Sequence, residues 1–108
     1  MSTLSSQAAT THGPLHGVRV LDLTTVVMGP AATQILGDLG ADVVKVEAPV
    51  GDSMRRIGPF RNPGMGPMYL QANRNKRSIE LDLKQPEARE QLLELAREAD
   101  VLVSNIRP

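Results

Sequence analysis

Between Val18 and Glu47 the spacing of apolar residues changes twice. Val18-Arg-Val-Leu-Asp-Leu23 is a short, mostly apolar run. Apolar residues then recur three to four apart at Ala31, Ile35, Leu36 and Leu39, and a second apolar run fills Val43 to Glu47. Short apolar runs on either side of a helical period predict strand, helix, strand. Gly29 and Pro30 open the helix, proline being suited to a first-turn position, and Gly40 is read as its left-handed stop. Val18 and Val20 fall on one face of the first strand and Leu21 and Leu23 on the other, so both faces should be covered, as in a parallel sheet. The crossover should be right-handed.

The pattern lapses from Ala48 to Leu70, where Gly51, Gly58, Pro59, Pro63, Gly64, Gly66 and Pro67 predict a long loop with turn chemistry throughout. It resumes with alternation over Ser78-Ile-Glu-Leu-Asp82, a helix opening at Pro86 and Glu87 with an apolar stripe of Ala88, Leu92, Leu95, Ala96 and Ala99, and a fourth strand over Asp100-Val-Leu-Val-Ser104. The fold class is therefore α/β, a Rossmann-like parallel sheet built from two βαβ units. Two helices are expected to cover one face of such a sheet, seldom both. The last residues turn out of a strand end, so residues 15–108 read as the incomplete N-terminal portion of a larger domain. Residues 1–14 read as a disordered polar tail, lacking the basic start and apolar middle of a signal peptide.

Composition narrows the functions. The 108 residues are 41% apolar and only 2% aromatic, so the core must come from Val, Leu, Ile and Ala. Twelve Lys and Arg balance twelve Asp and Glu, which argues against a nucleic-acid or membrane-surface role for the whole chain. The absence of cysteine excludes disulfides and thiolate metal sites and fits a cytoplasmic setting. No metal is expected: His12 and His16 have no third ligand nearby in sequence.

Candidate chemistry is sparse. A single glycine, Gly29, follows the first strand, so the dinucleotide fingerprint G-x-G-x-x-G is absent. Glu47 stands where a Rossmann protein keeps its ribose acid, but an ordinary strand-end carboxylate is the favoured reading. Arg74, Lys76 and Arg77 form a basic cluster beside the Gly/Pro-rich loop, a candidate anion contact weighed against a solvated face. Asp22 is polar near the end of an apolar strand and is read as tying down a neighbouring loop.

Two blocks go beyond a generic βαβ unit. The first is Leu15-His-Gly-Val-Arg-Val-Leu-Asp-Leu-Thr24 with Gly29-Pro-Ala31 and Leu39-Gly-Ala-Asp-Val-Val-Lys-Val-Glu47, followed by Gly51-Asp52 and Arg55. The second is Asn75-Lys-Arg-Ser-Ile-Glu-Leu-Asp-Leu-Lys84 with Ala99-Asp-Val-Leu-Val-Ser-Asn105 behind it. Together they closely resemble the N-terminal part of class III CoA-transferases, the formyl-CoA transferase and carnitine CoA-transferase type, over about Pro14 to Pro108. α-Methylacyl-CoA racemases share the pattern.

The resemblance implies a site for coenzyme A or acyl-CoA, as substrate, drawing on Val27 and Met28, on Ala48, on Leu81, Asp82, Leu83 and Lys84, and on Asn105, Ile106 and Arg107. It makes Lys84 the phosphate candidate and Asn105 a hydrogen-bonding partner of adenine, ribose or pantetheine. Members of the formyl-CoA type often carry glutamine where Val27 stands and arginine where Ala48 stands. Valine and alanine can offer only main-chain contacts there. The resemblance further implies a carboxylic acid as second substrate, interlocked homodimers, and an aspartyl nucleophile beyond position 108, so that no catalytic residue lies in this chain and the chain alone should be inert. The alternatives are a racemase fragment and, in another class, a non-catalytic nucleotide- or CoA-binding module or truncated remnant.

Overall fold

The computed structural model describes residues 13–59 and 61–107; the expected tail lies largely outside them. Four strands, β1 (Arg19–Leu23), β2 (Asp42–Glu47), β3 (Lys76–Glu80) and β4 (Val101–Ser104), form one sheet in the order β3-β2-β1-β4. All three pairings are parallel, with Val20 opposite both Val43 and Val101, and Val43 opposite Lys76. The helices are α1 (Met28–Asp38), α2 (Pro67–Ala72) and α3 (Pro86–Glu98), with a 3-10 turn at Ser53–Arg56. Among the described residues no helix is long and apolar enough to cross a membrane.

The helices α1 and α3 lie on opposite faces, which agrees with the reading of both faces of the first strand as covered and corrects the expectation that two helices would cover only one. Leu21, Leu23, Val46 and Leu81 pack with Ala88, Leu92, Leu95, Ala96 and Ala99 of the α3 side. Val20, Ala41 and Val43 pack with Leu36 of α1, Leu15, Val18 and Val103. The chain steps from β1 to β2 in one direction and from β3 back to β4 in the other. A crossover of fixed hand must then place the two helices on opposite sides.

The predicted α3 stripe is the observed one, but the α1 stripe is observed only in part: Leu36 packs on the sheet and Ile35 and Leu39 do not. Ile35 and Leu39 are 57% and 41% exposed, while Pro30, Thr33 and Gln34 are buried. The helix begins two residues before Pro30, at Met28, and Gly29 sits so close to the sheet that a Cβ there would lie 2.6 Å from Thr24 Cβ. The stop at Gly40 is a Schellman motif with φ +108°: Gly40 N–H donates to Gly37 and Ala41 N–H to Leu36, while Ala41 and Leu36 share one apolar cluster.

Two other boundaries shift. The segment expected to be all loop contains the 3-10 turn and α2, the latter started by Pro67 in its first turn. Strand β3 begins at Lys76 and ends at Glu80, two residues earlier than predicted. Leu81 N–H still donates to Glu47, but Asp82 begins a turn, accepting from Lys84 N–H through its side chain and from Gln85 N–H through its carbonyl.

Candidate functional site

Because the sheet is parallel, every strand leaves it at one edge. In spatial order, the segments emerging there are Leu81–Lys84 after β3, Ala48 after β2, Thr24–Met28 after β1 and Asn105–Arg107 after β4. The direction of chain travel reverses between β1 and β4, the switch point at which open α/β sheets form a ligand crevice. Asn105 bridges that point: its Oδ1 accepts from Thr25 N–H at 3.2 Å and its Nδ2 donates to Thr25 O at 3.0 Å.

Beneath the loop from β1 to α1 lies a buried charged network. Asp22, Lys45 and Asp52 are each 0% exposed. Asp22 accepts from Thr24 N–H (2.9 Å), the Thr24 hydroxyl (2.5 Å) and the Thr33 hydroxyl (2.7 Å), and pairs with Lys76 Nζ at 2.9 Å. Burial raises its pKa, but those hydroxyls, the amide and the ammonium outweigh it and hold the carboxyl below its ordinary value. Burial lowers the pKa of Lys76, partly offset by Asp22. Lys45 Nζ donates to Thr24 O, to Asp52 Oδ2 and to Asn73 Oδ1 at 3.1, 2.9 and 2.9 Å. Asn73 Oδ1 also accepts from Lys76 at 2.8 Å, which joins the two ion pairs.

Asp52 extends this network to the loop itself. Its carboxylate accepts from Val26 N–H at 3.2 and 3.3 Å and from Met54 N–H at 3.0 Å. Val26 has φ +76°, the left-handed region, which costs an L residue about 1–2 kcal/mol and is an outlier for a β-branched one. Val27 then caps α1 with its main chain, its carbonyl accepting from Ala31 N–H, and no side chain caps that first turn.

Glu47 is 4% exposed and turned inward. It takes a forked pair from Arg55 (2.9 and 2.7 Å), the Tyr69 hydroxyl (2.6 Å), the Asp52 N–H (2.8 Å) and the Ser78 hydroxyl (3.0 Å). The Arg55 guanidinium stacks 4.0 Å from the Tyr69 ring centroid. Burial acts to raise the Glu47 pKa, but Arg55 and the other donors bring it down to about 2. Burial and the neighbouring carboxylate push the Tyr69 hydroxyl the other way, above its ordinary value. With its oxygens held this way, Glu47 is the strand-end carboxylate and not a ribose ligand.

The basic cluster is likewise taken up by the chain's own acids. Arg74 pairs with Asp38, Lys76 with Asp22 and Arg77 with Asp42. These contacts correct the reading of a common anion site at Arg74, Lys76 and Arg77.

The ten residues that the resemblance singled out sit in four groups along the carboxyl edge. Met28 is 87% exposed and Val27 half-buried. Ala48, Lys84, Asn105, Ile106 and Arg107 are exposed, Asp82 is half-buried, and Ile106 N–H donates to Ser104 Oγ. Leu81 is buried in the α3-side core and can offer a ligand only main chain, while Leu83, half-buried, packs against that core. Seven of the twelve Lys and Arg pair with carboxylates. Among the described residues the other five have no carboxylate partner: Lys84 and Arg107 directly follow β3 and β4, Arg56 and Arg61 lie in the long segment after β2, and Arg89 lies in α3.

Residues 15–108 match the model of CoA-transferase family III. The chain belongs to this family. It is 50% identical over 99 residues to succinyl-CoA:mesaconate CoA-transferase of Haloarcula hispanica, covering 88% of this chain and 25% of that protein. It is 51% identical over 96 residues to formyl-CoA:oxalate CoA-transferase of Streptomyces avermitilis, covering 87% of this chain and 23% of that one. A CaiB/BaiF family protein of Brucella suis superposes with a TM-score of 0.82 at 41% identity, over 88% of this chain and 26% of that chain. The chain thus spans about a quarter of the length of the relatives it matches.

In this CoA-transferase family III chain the sequence singled out Asp22 and Asn105 among the residues that shape the edge and missed the others. Lys45, Asp52, Asn73, Arg55 and Tyr69 build the support under the loops. A lysine in the middle of the otherwise apolar run Val43-Val-Lys-Val was the available signal: a buried ammonium requires a carboxylate. The three buried carboxylates each accept from several donors. Their chemistry here is to hold loops whose main chain faces the edge.

Proposed function

We propose that this chain forms the CoA-binding edge of a class III CoA-transferase, an enzyme that moves CoA from an acyl-CoA thioester to a carboxylic acid. The observation that carries this reading is topological. The four segments drawn from the family resemblance emerge side by side at the carboxyl edge, around the β1–β4 switch point. Lys84 and Arg107, which have no carboxylate partner among the described residues, follow β3 and β4 on the same edge, where phosphates can be met as point charges or forked pairs.

The relatives support CoA, not the acids, as the ligand of this segment. One relative's name gives succinyl-CoA and mesaconate and the other's formyl-CoA and oxalate, yet each is about half identical to this chain. What such proteins share is the carrier. In the proposed reaction an aspartate outside this segment attacks the thioester carbonyl and expels CoA thiolate, giving a mixed anhydride. The thiolate opens the anhydride to an aspartyl-CoA thioester and releases the donor acid. The acceptor carboxylate attacks that thioester, and the thiolate then takes the acceptor's acyl group and frees the aspartate. This chain's part is to keep the thiolate's carrier in place while the sulfur changes partners.

Lys84 is the first residue to test. In a full-length enzyme carrying this segment, Lys84→Ala should weaken CoA binding about tenfold, the worth of one lost charged contact of about 1.4 kcal/mol. Calorimetric titration with CoA measures this, and an unchanged Kd removes Lys84 from the site.

A further inference from the structure

We infer that Asp52, seated on Lys45, is a positioning residue for CoA: its carboxylate holds Val26 in the left-handed conformation and thereby sets where the main chain of Val27 and Met28 meets the ligand. The inference rests on the reading that the β1–α1 loop contacts CoA. Four ties fix that loop. Asp22 holds Thr24 N–H and its hydroxyl. Lys45 holds the Thr24 carbonyl. Asn105 holds both main-chain polar groups of Thr25. Asp52 holds the N–H of Val26, the residue with φ +76°.

The last tie differs from the others. Valine disfavours this conformation, so the loop shape depends on something outside the residue. The anchor is a carboxylate at 0% exposure, fixed by an ammonium at 0% exposure and by the 3-10 turn it caps at Met54. Neither charge faces solvent, and neither is needed to complete an apolar core. With valine at 27 and alanine at 48, side chains there supply no hydrogen bonds, so main-chain placement must do the recognising.

The test uses a full-length enzyme carrying this segment, with CoA titrated by calorimetry and acyl-CoA kinetics measured in parallel. Asp52→Asn should raise the CoA Kd and the acyl-CoA KM about tenfold while kcat changes less than about twofold, because the reacting groups lie elsewhere. Adding Val26→Gly, which adopts the same φ without strain, should recover most of the lost affinity but not the lost thermal stability, since the buried ammonium remains poorly paired. A merely structural role would move stability alone. Val26→Pro removes the N–H and forbids positive φ with the ion pair intact, so it decides the matter if Asp52→Asn does not fold; it should weaken CoA binding to a similar degree. Unchanged CoA affinity in Asp52→Asn or in Val26→Pro, or no recovery with Val26→Gly, overturns the inference. If Lys84→Ala weakens CoA and these variants do not, positioning fails alone; if none of them alters CoA binding, the CoA reading fails as well.

Discussion

The two faces of the sheet are built from alternate residues of the same strands, yet they bury different chemistry. Towards α3 the strands bury only apolar residues, Leu21, Leu23, Val44, Val46 and Ile79, with Leu81 just beyond β3, and the charges on that face, Arg19, Asp42 and Arg77, are partly exposed towards its amino edge. Towards α1 the rows begin apolar, at Val20 and Val43, and become charged towards the carboxyl edge, at Asp22, Lys45 and Glu47. The first face needs only volume and hydrophobicity. The second needs each donor to meet its acceptor, because a buried charge left unpaired is costly. The difference follows position: the charged half lies under the edge whose loops have to hold a shape.

Substituting methionine on each face should separate the two most widely. Lys45→Met keeps an unbranched side chain of similar length but leaves Asp52 buried without its ammonium, so it should cost about 3–5 kcal/mol. Leu21→Met, equally buried, is a near volume-conserving swap and should cost less than about 1.5 kcal/mol. Denaturant unfolding of both variants measures the contrast. Equal costs would mean that the α1 side behaves as an ordinary core.

The same division governs what could be read in the sequence. The α3 face was legible: the stripe at Ala88, Leu92, Leu95, Ala96 and Ala99 is helical spacing facing an apolar sheet, and every member packs there. The α1 face was legible only in part. Its helix meets the charged half of the sheet with Pro30 and Thr33, and buries Gln34 as well, so an apolar-stripe rule selects Ile35 and Leu39, which are exposed. Asp22 was identified as a loop tie from its oddness in an apolar strand. Its partner Lys76 was not, because pairing across 54 positions of sequence leaves no local mark. The strand order and the opposite placement of α1 and α3 depend on which way each crossover travels, which spacing does not encode. The four edge segments were grouped by resemblance, and the geometry adds that Leu81 turns its side chain into the core and Leu83 packs against it.

Acid should weaken the charged face through Glu47. The Glu47 carboxyl has an ordinary value of 4.5 and is held at about 2 in the folded chain. A folded pKa below the unfolded one contributes stability above pH 4.5 that is lost as pH falls towards 2. The shift corresponds to a loss on the order of 3 kcal/mol across that window. Glu47→Gln should lower stability at neutral pH and flatten the acid limb. Melting temperature against pH, from 6 to 2, tests both, and an unchanged acid limb in Glu47→Gln would place the acid sensitivity elsewhere.

The smallest effect bears on the helix whose stripe was partly misread. Had Ile35 faced the sheet, replacing it with glutamine would remove a core side chain and cost about 2–5 kcal/mol. At 57% exposure on α1, with Thr33 and Gln34 turned inward instead, Ile35→Gln should change the stability of this chain by no more than about 0.5 kcal/mol. Leu36, one residue on, packs against Val20, Ala41 and Val43, so Leu36→Gln should cost several times more. The pair fixes the helix's rotation about its own axis. A large loss at Ile35 with a small one at Leu36 would turn α1 by about 100° per residue and take Thr33 off Asp22, and with it the tie that joins α1 to the charged half of the sheet.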